Sequence, residues 1–97
     1  MRRPIKIEDV LFADGTIEKY EFNSTGFNMQ FRDYADTELV FFFSKDVEVK
    51  EQKGLGFSVY ESHLEKANGR MKLRLLDDDL IEMLNIEFGL CTVSMVQ

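Results

Sequence analysis

The stretch FNMQFRDYADTELVFFF, residues 27–43, decides how this chain folds. Phe27, Met29 and Phe31 alternate with Asn28, Gln30 and Arg32, the period-two pattern of a strand with one buried face. Asp33 to Thr37 is a polar stretch that turns the chain. Leu39, Val40, Phe41, Phe42 and Phe43 follow without a polar break. With Phe31 opposite Leu39, the loop is Tyr34-Ala35-Asp36, Arg32 meets Glu38, and Leu39, Phe41 and Phe43 go to the core. Val40 and Phe42 then project from the other side of the sheet, because successive side chains of a strand point to opposite faces. They are the candidate interface residues, and their cover is either another layer of the same chain or a second subunit.

The same pattern extends in both directions. Residues 5–22 read as a β-hairpin, with Ile5, Ile7 and residues 10–12 before an Asp14-Gly15 turn and an alternating run, residues 17–22, after it. Asn23-Ser24-Thr25-Gly26 is the next loop. Val47 and Val49 extend a strand region, and residues 51–54 read as a loop. Residues 57–68 fit either a strand or a short helix ending at Asn68-Gly69; the strand is the preferred reading. Met71, Leu73 and Leu75 alternate with Arg70, Lys72 and Arg74. A three-residue loop Asp77-Asp78-Asp79 would set Leu75 against Ile81 and Arg74 against Glu82. The apolar pattern then changes phase to Leu84, Ile86 and Phe88, which predicts a bulge near Leu84. Cys91, Val93 and Met95 mark a last strand after Gly89. Strand after strand with tight turns predicts a mostly β fold, a small antiparallel sandwich or partly open barrel built from hairpins, with one short helix near 58–68 as the variant.

A shift of 44 lays residues 27–51 over 71–95 and matches apolar positions such as Phe27/Met71, Phe31/Leu75 and Phe42/Ile86. Only three of the 25 aligned positions are identical: Asp33/Asp77, Glu38/Glu82 and Val49/Val93. Any two β-meanders share such a pattern, so identity this low does not establish a repeat.

The chain has 97 residues, which suits a single domain, 1–97, with a small core. Its net charge of −6 is the wrong sign for a nonspecific nucleic-acid binder and favours a basic protein partner. One cysteine, Cys91, excludes an intrachain disulfide and a zinc site built on thiolates alone. No run approaches the roughly 18 apolar residues of a membrane span, and MRRPIKIEDV has no apolar core of a signal peptide. A cytoplasmic protein without membrane contact is the expectation.

Constellations with chemical potential are few. Glu61, His63 and Glu65 share a face if their segment is a strand, and a carboxylate–His–carboxylate row can hold a metal or raise the proton affinity of the imidazole. A solvated strand face has the same composition. Asp77-Asp78-Asp79 with Glu82 offers hard oxygen ligands but lacks the glycine and odd-position ligands of a calcium loop. Cys91 sits in an alternating apolar row, as a small core hydrophobe does. The Arg70–Lys72–Arg74 stripe has Met and Leu between its charges, so acidic neighbours are its expected partners. Arg2-Arg3 and Asn23-Ser24-Thr25-Gly26 miss both motifs of the PilZ-type cyclic-dinucleotide barrels: the arginines are adjacent and the second motif is too short by two.

These readings predict a non-catalytic interaction protein that self-associates, as a dimer first, through an apolar β-face containing Val40 and Phe42. No cofactor and no enzymatic role are expected. The alternative is a small-molecule binder with an apolar pocket in a barrel or between subunits.

Overall fold

The structure, a computed structural model, describes residues 2–96 and the side chains of all of them but residues 2–4 and 67. Among the described residues there are nine strands: β1 (Arg2–Ile5), β2 (Thr16–Asn23), β3 (Gly26–Arg32), β4 (Glu38–Ser44), β5 (Glu48–Gln52), β6 (Glu61–Ala67), β7 (Arg70–Leu76), β8 (Glu82–Phe88) and β9 (Leu90–Val96). A single 3-10 turn, Ile7–Asp9, follows β1. All strand pairs are antiparallel, in one sheet ordered β1-β9-β4-β3-β2 and a second ordered β5-β8-β7-β6. The fold is a two-sheet sandwich, mostly β, with no closed barrel.

The core is what the alternation demands. Phe27, Met29, Phe31, Leu39, Phe41, Phe43 and Val93 point inward from the first sheet, and Leu73, Leu75, Leu84, Ile86 and Phe88 from the second. Rings join the layers: Phe43 and Phe88 have centroids 4.8 Å apart. Full burial of such side chains contributes roughly 1.5–3 kcal/mol each before chain entropy is subtracted.

The β3–β4 register is the expected one, with Phe31 opposite Leu39 and Arg32 opposite Glu38. Two expectations, the 5–22 hairpin and the place of the β7–β8 loop, are corrected. Residues 5–22 do not form a hairpin: β1 pairs with β9, and the chain between β1 and β2 crosses the end of the sandwich, burying Ile7 and Phe12. Asp14-Gly15 is a turn, closed by Gly15 N–H to Phe12 O at 3.0 Å, but the strands on either side of it do not pair. The preferred strand reading of residues 57–68 holds: β6 takes 61–67, there is no helix near 58–68, and Asn68 and Gly69, both at positive φ, make the tight β6–β7 hairpin turn. The β7–β8 loop is shifted by one residue. Asp77 N–H bonds Ile81 O at 3.0 Å and Leu80, not a glycine, takes the left-handed position. The predicted bulge is real: Leu75 faces Leu84 while Leu76 faces Glu82, leaving Met83 without a partner on β7.

The shift of 44 reappears in the connectivity. Asn23 pairs with Gly26 and Ala67 with Arg70, closing the first hairpin of each half at equivalent places. Arg32 pairs with Glu38 and Leu76 with Glu82, closing the second. The fourth strands are exchanged: β4 runs into β5, which pairs with β8, while β8 runs into β9, which pairs with β4. β9-β4-β3-β2 and β5-β8-β7-β6 are therefore two copies of one arrangement, and β1 is an addition to one of them.

Candidate functional site: two unlike outer faces

The two sheets have related inner faces and different outer ones. On the second sheet, Arg70, Lys72 and Arg74 of β7 lie between Glu61, His63 and Glu65 of β6 and Asn85 and Glu87 of β8. Arg74 bonds Glu82 at 2.8 Å, and Lys50 and Arg70 reach Glu87 at 2.8 and 3.4 Å. The buried Asn85 amide donates to Glu82 at 2.9 Å. The Arg74 hydrogen bond holds the Glu82 carboxyl below the usual carboxylate range, against a smaller opposing effect of burial. Lys50 does the same for Glu87. The basic stripe is thus matched by carboxylates, as expected.

Glu61, His63 and Glu65 do share this face. His63 Nε2 lies 2.8 Å from Glu61 Oε2, but Glu65 is turned to Arg74, at 4.0 Å. Among the described residues, the three-ligand acidic or histidine group whose ligand atoms converge is Asp77, Asp78 and Asp79, within 4.8 Å. Asp77 Oδ1 already accepts the amides of Asp79 and Ile81, both at 3.0 Å, so its role is to hold the loop. Cys91 and His63 lie on β9 and β6, in different sheets, and do not form a pair. Cys91 is half-buried, and burial, with a smaller effect of Glu8, pushes its thiol up to about 12.

The first sheet's outer face is built from β3, β4 and β9. Val40 stands between Gln30 and Ser94, and Phe42 between Asn28 and Thr92. Ser44 is opposite Leu90, and Val96, at the end of β9, is paired with Arg2 of β1. Among the described residues, this band carries no charge from Asn28 and Gln30 across Val40 and Phe42 to Thr92 and Ser94. Charges border it: Lys19 and Glu21 along β2, and Arg32 and Glu38 at one end. Val40 and Phe42 point outward, and both are half-buried by their own neighbours. The Phe42 ring lies over Gly26, where a Cβ would meet its Cε1 at 3.0 Å. A shallow groove of about 280 Å³ runs between Lys19, Glu21 and Val40, floored by Asn28 and Gln30.

At the border, Arg32 binds three carboxylates: Glu38 at 2.9 Å, Glu18 at 3.0 Å and Asp36 at 3.6 Å. Glu18 and Glu38 are thus neighbouring carboxylates around one guanidinium. Burial, followed by the nearby Glu18, raises the Glu38 carboxyl, while Glu18 is lowered beside Glu38 and by its bond to Arg32. Sequence reasoning found Arg32–Glu38 but not Glu18, because no local pattern places β2 beside β3 at that point. It also read Asn28 and Gln30 as alternating polar positions opposite the buried face of their strand. That β9 lies beside β4, joining them into one band, depends on strand order.

Among the described residues, no helix is long and apolar enough to cross a membrane. No family model, curated protein or solved structure matches the chain, so its own surfaces carry what can be argued about its role.

Proposed function

We propose that this chain is a non-catalytic interaction module that self-associates through the outer face of the β9-β4-β3 sheet, with Val40 and Phe42 at the centre. One observation supports this above the rest: the centre of that face, from Asn28 and Gln30 across Val40 and Phe42 to Thr92 and Ser94, carries no charge, whereas the equivalent face of the other sheet is a lattice of ion pairs. Depletion of charge at the centre with a charged rim is the composition of protein interfaces. A flat sheet face presented to its own copy also gives an isologous contact, which closes as a dimer. A small-molecule site between the sheets draws less support, because that space is filled by fully buried side chains. A cytoplasmic setting suits the single half-buried thiol, and a basic partner suits the acidic remainder of the surface.

The test is mass in solution by light scattering across a concentration series. The expected result is a species heavier than the 11.3 kDa of one chain. Thr92→Arg places a charge on an exposed position in the middle of the band without touching the core, and should abolish the association made through this face, lowering the mass. A wild-type dimer unaffected by Thr92→Arg would remove this face from the reading.

A further inference from the structure

We infer a second contact surface, independent of the sheet face: the free edge of β5, which fits the β5 edge of another copy of this chain in antiparallel pairing. The internal relation between the halves motivates it. β9 and β5 are equivalent fourth strands, and the outer edge of β9 is paired with β1. β5 has β8 on one side, and among the described residues no backbone hydrogen bond leaves its other side. A row of unpaired N–H and C=O groups is a template for a further strand.

The residues of β5 and its exit specify the occupant. The segment reads Glu48-Val49-Lys50-Glu51-Gln52-Lys53. Antiparallel pairing of two such segments about a dyad between Lys50 and Glu51 sets Glu48 against Lys53 of the other copy and Lys50 against Glu51, each twice. Every charge in the segment then meets its opposite, and Val49 meets Gln52. Moving the dyad onto Lys50 would put Lys50 against Lys50 and Val49 against Glu51, which loses this complementarity.

The backbone agrees with that register. Lys53 N–H bonds Met83 O at 2.9 Å, so Lys53 faces β8 and, by alternation, the polar groups of Gln52 face out. The register shift at Lys50 inserts one extra residue, so the next outward residue is Val49. Val49 and Gln52 are the pair that the proposed dyad brings together to exchange backbone bonds. On the outer face, Glu48, Glu51 and Lys53 have no ion pair among the described residues, and Lys50 has one, to Glu87 at 2.8 Å.

Two charge variants test the pairing. Lys50→Glu with Lys53→Glu makes the segment all acidic, and Glu48→Lys with Glu51→Lys makes it all basic. Each alone should weaken self-association about tenfold or more, since like charges directly opposite repel, while a one-to-one mixture should restore a dimer whose affinity falls with salt. Gln52→Pro removes only an outward N–H and should block pairing with the fold intact, as judged by circular dichroism. Wild-type protein that stays monomeric at high concentration overturns the inference, as does a mixture that fails to associate or a Gln52→Pro protein that keeps the wild-type mass. A dimer lost on Thr92→Arg but indifferent to all β5 variants keeps the sheet-face reading and discards this one. The reverse pattern does the opposite.

Discussion

Gly15 and Val59 hold the two halves of the molecule together at equivalent points. Val59 N–H donates to Gly15 O at 2.9 Å, and Val59 O accepts from Asp14 N–H at 2.7 Å. The two residues are 44 apart in sequence, the same shift that overlays the halves, so each stands at the entrance to its own meander and the two entrances pair with each other. Val59 is buried, and Gly15 lies against the Phe31 ring.

Gly15→Ala should therefore be costly. A Cβ there would lie 2.1 Å from Phe31 Cζ and 2.9 Å from the Arg32 carbonyl oxygen. Phe31 is fully buried and cannot swing away without disturbing Phe12 and Phe41, whose rings lie 5.3 and 6.1 Å from its own. Overpacking of this kind costs about 1–3 kcal/mol. Urea denaturation should show a lower midpoint with an unchanged slope. Gly54→Ala, with nothing within 4 Å of the new methyl, is the control and should leave the midpoint in place or raise it slightly.

The hairpin tips give a paired prediction. Asp33 Oδ1 accepts the amides of Ala35 and Thr37 at 2.9 and 2.8 Å, as Asp77 does those of Asp79 and Ile81. Asp33→Ala and Asp77→Ala should each cost about 1–2 kcal/mol, because two charge-assisted bonds are lost from partly solvated loops. Leu80 is exposed and held at φ 60°, a conformation unfavourable for a branched side chain. Leu80→Gly should raise the denaturation midpoint by up to about 1 kcal/mol of stability. A loss instead would mean that the Leu80 side chain contributes packing.

These tips explain what was legible in the sequence. The three identities at a shift of 44 all have structural causes. Asp33 and Asp77 fix the two loops, Glu38 and Glu82 receive Arg32 and Arg74, and Val49 and Val93 fill equivalent inward positions opposite Ile86 and Phe41. The strands themselves were legible wherever alternation was regular, as in β3, β7 and β9. The 5–22 segment misled because Ile7 and Phe12 are buried without alternating: they plug the end of the sandwich from a crossing segment, and the Asp-Gly turn there serves the contact with Phe31 rather than a hairpin. The uncharged outer band was legible as residues but not as a surface, since the β4–β9 pairing joins segments some fifty residues apart.

Glu82 should make the fold sensitive to acid. Its carboxyl is held below the ordinary 4.5 by the Arg74 hydrogen bond, then by Asn85. A depressed folded value means that the stabilisation is present above the unfolded value and is lost as pH falls through the folded one. Glu82→Gln should lower stability at neutral pH by about 0.5–1 kcal/mol, the range of a solvent-screened pair, and should flatten the decline below pH 4.5. Melting temperatures from pH 7 to pH 3 for both proteins would show it. Parallel curves over that range would mean that Arg74 does not discriminate between the charged and neutral carboxyl.

Cys91 gives a prediction that separates the folded chain from any open state. Burial pushes its thiol from an ordinary value of 9.0 up to about 12, so at pH 8 the thiolate fraction falls about a thousandfold. Labelling by an aromatic disulfide should be slow in the native protein and fast in urea. Its rate should follow the equilibrium population of opened molecules as denaturant is added. The linkage has a definite sign: an acid group raised on folding favours the unfolded chain as pH climbs past 9, so stability should fall above that point and the fall should be smaller in Cys91→Ala. Rapid native labelling would place the sulfur in solvent. The β1–β9 edge would then have to open, since the segment after β1 lies beside Cys91.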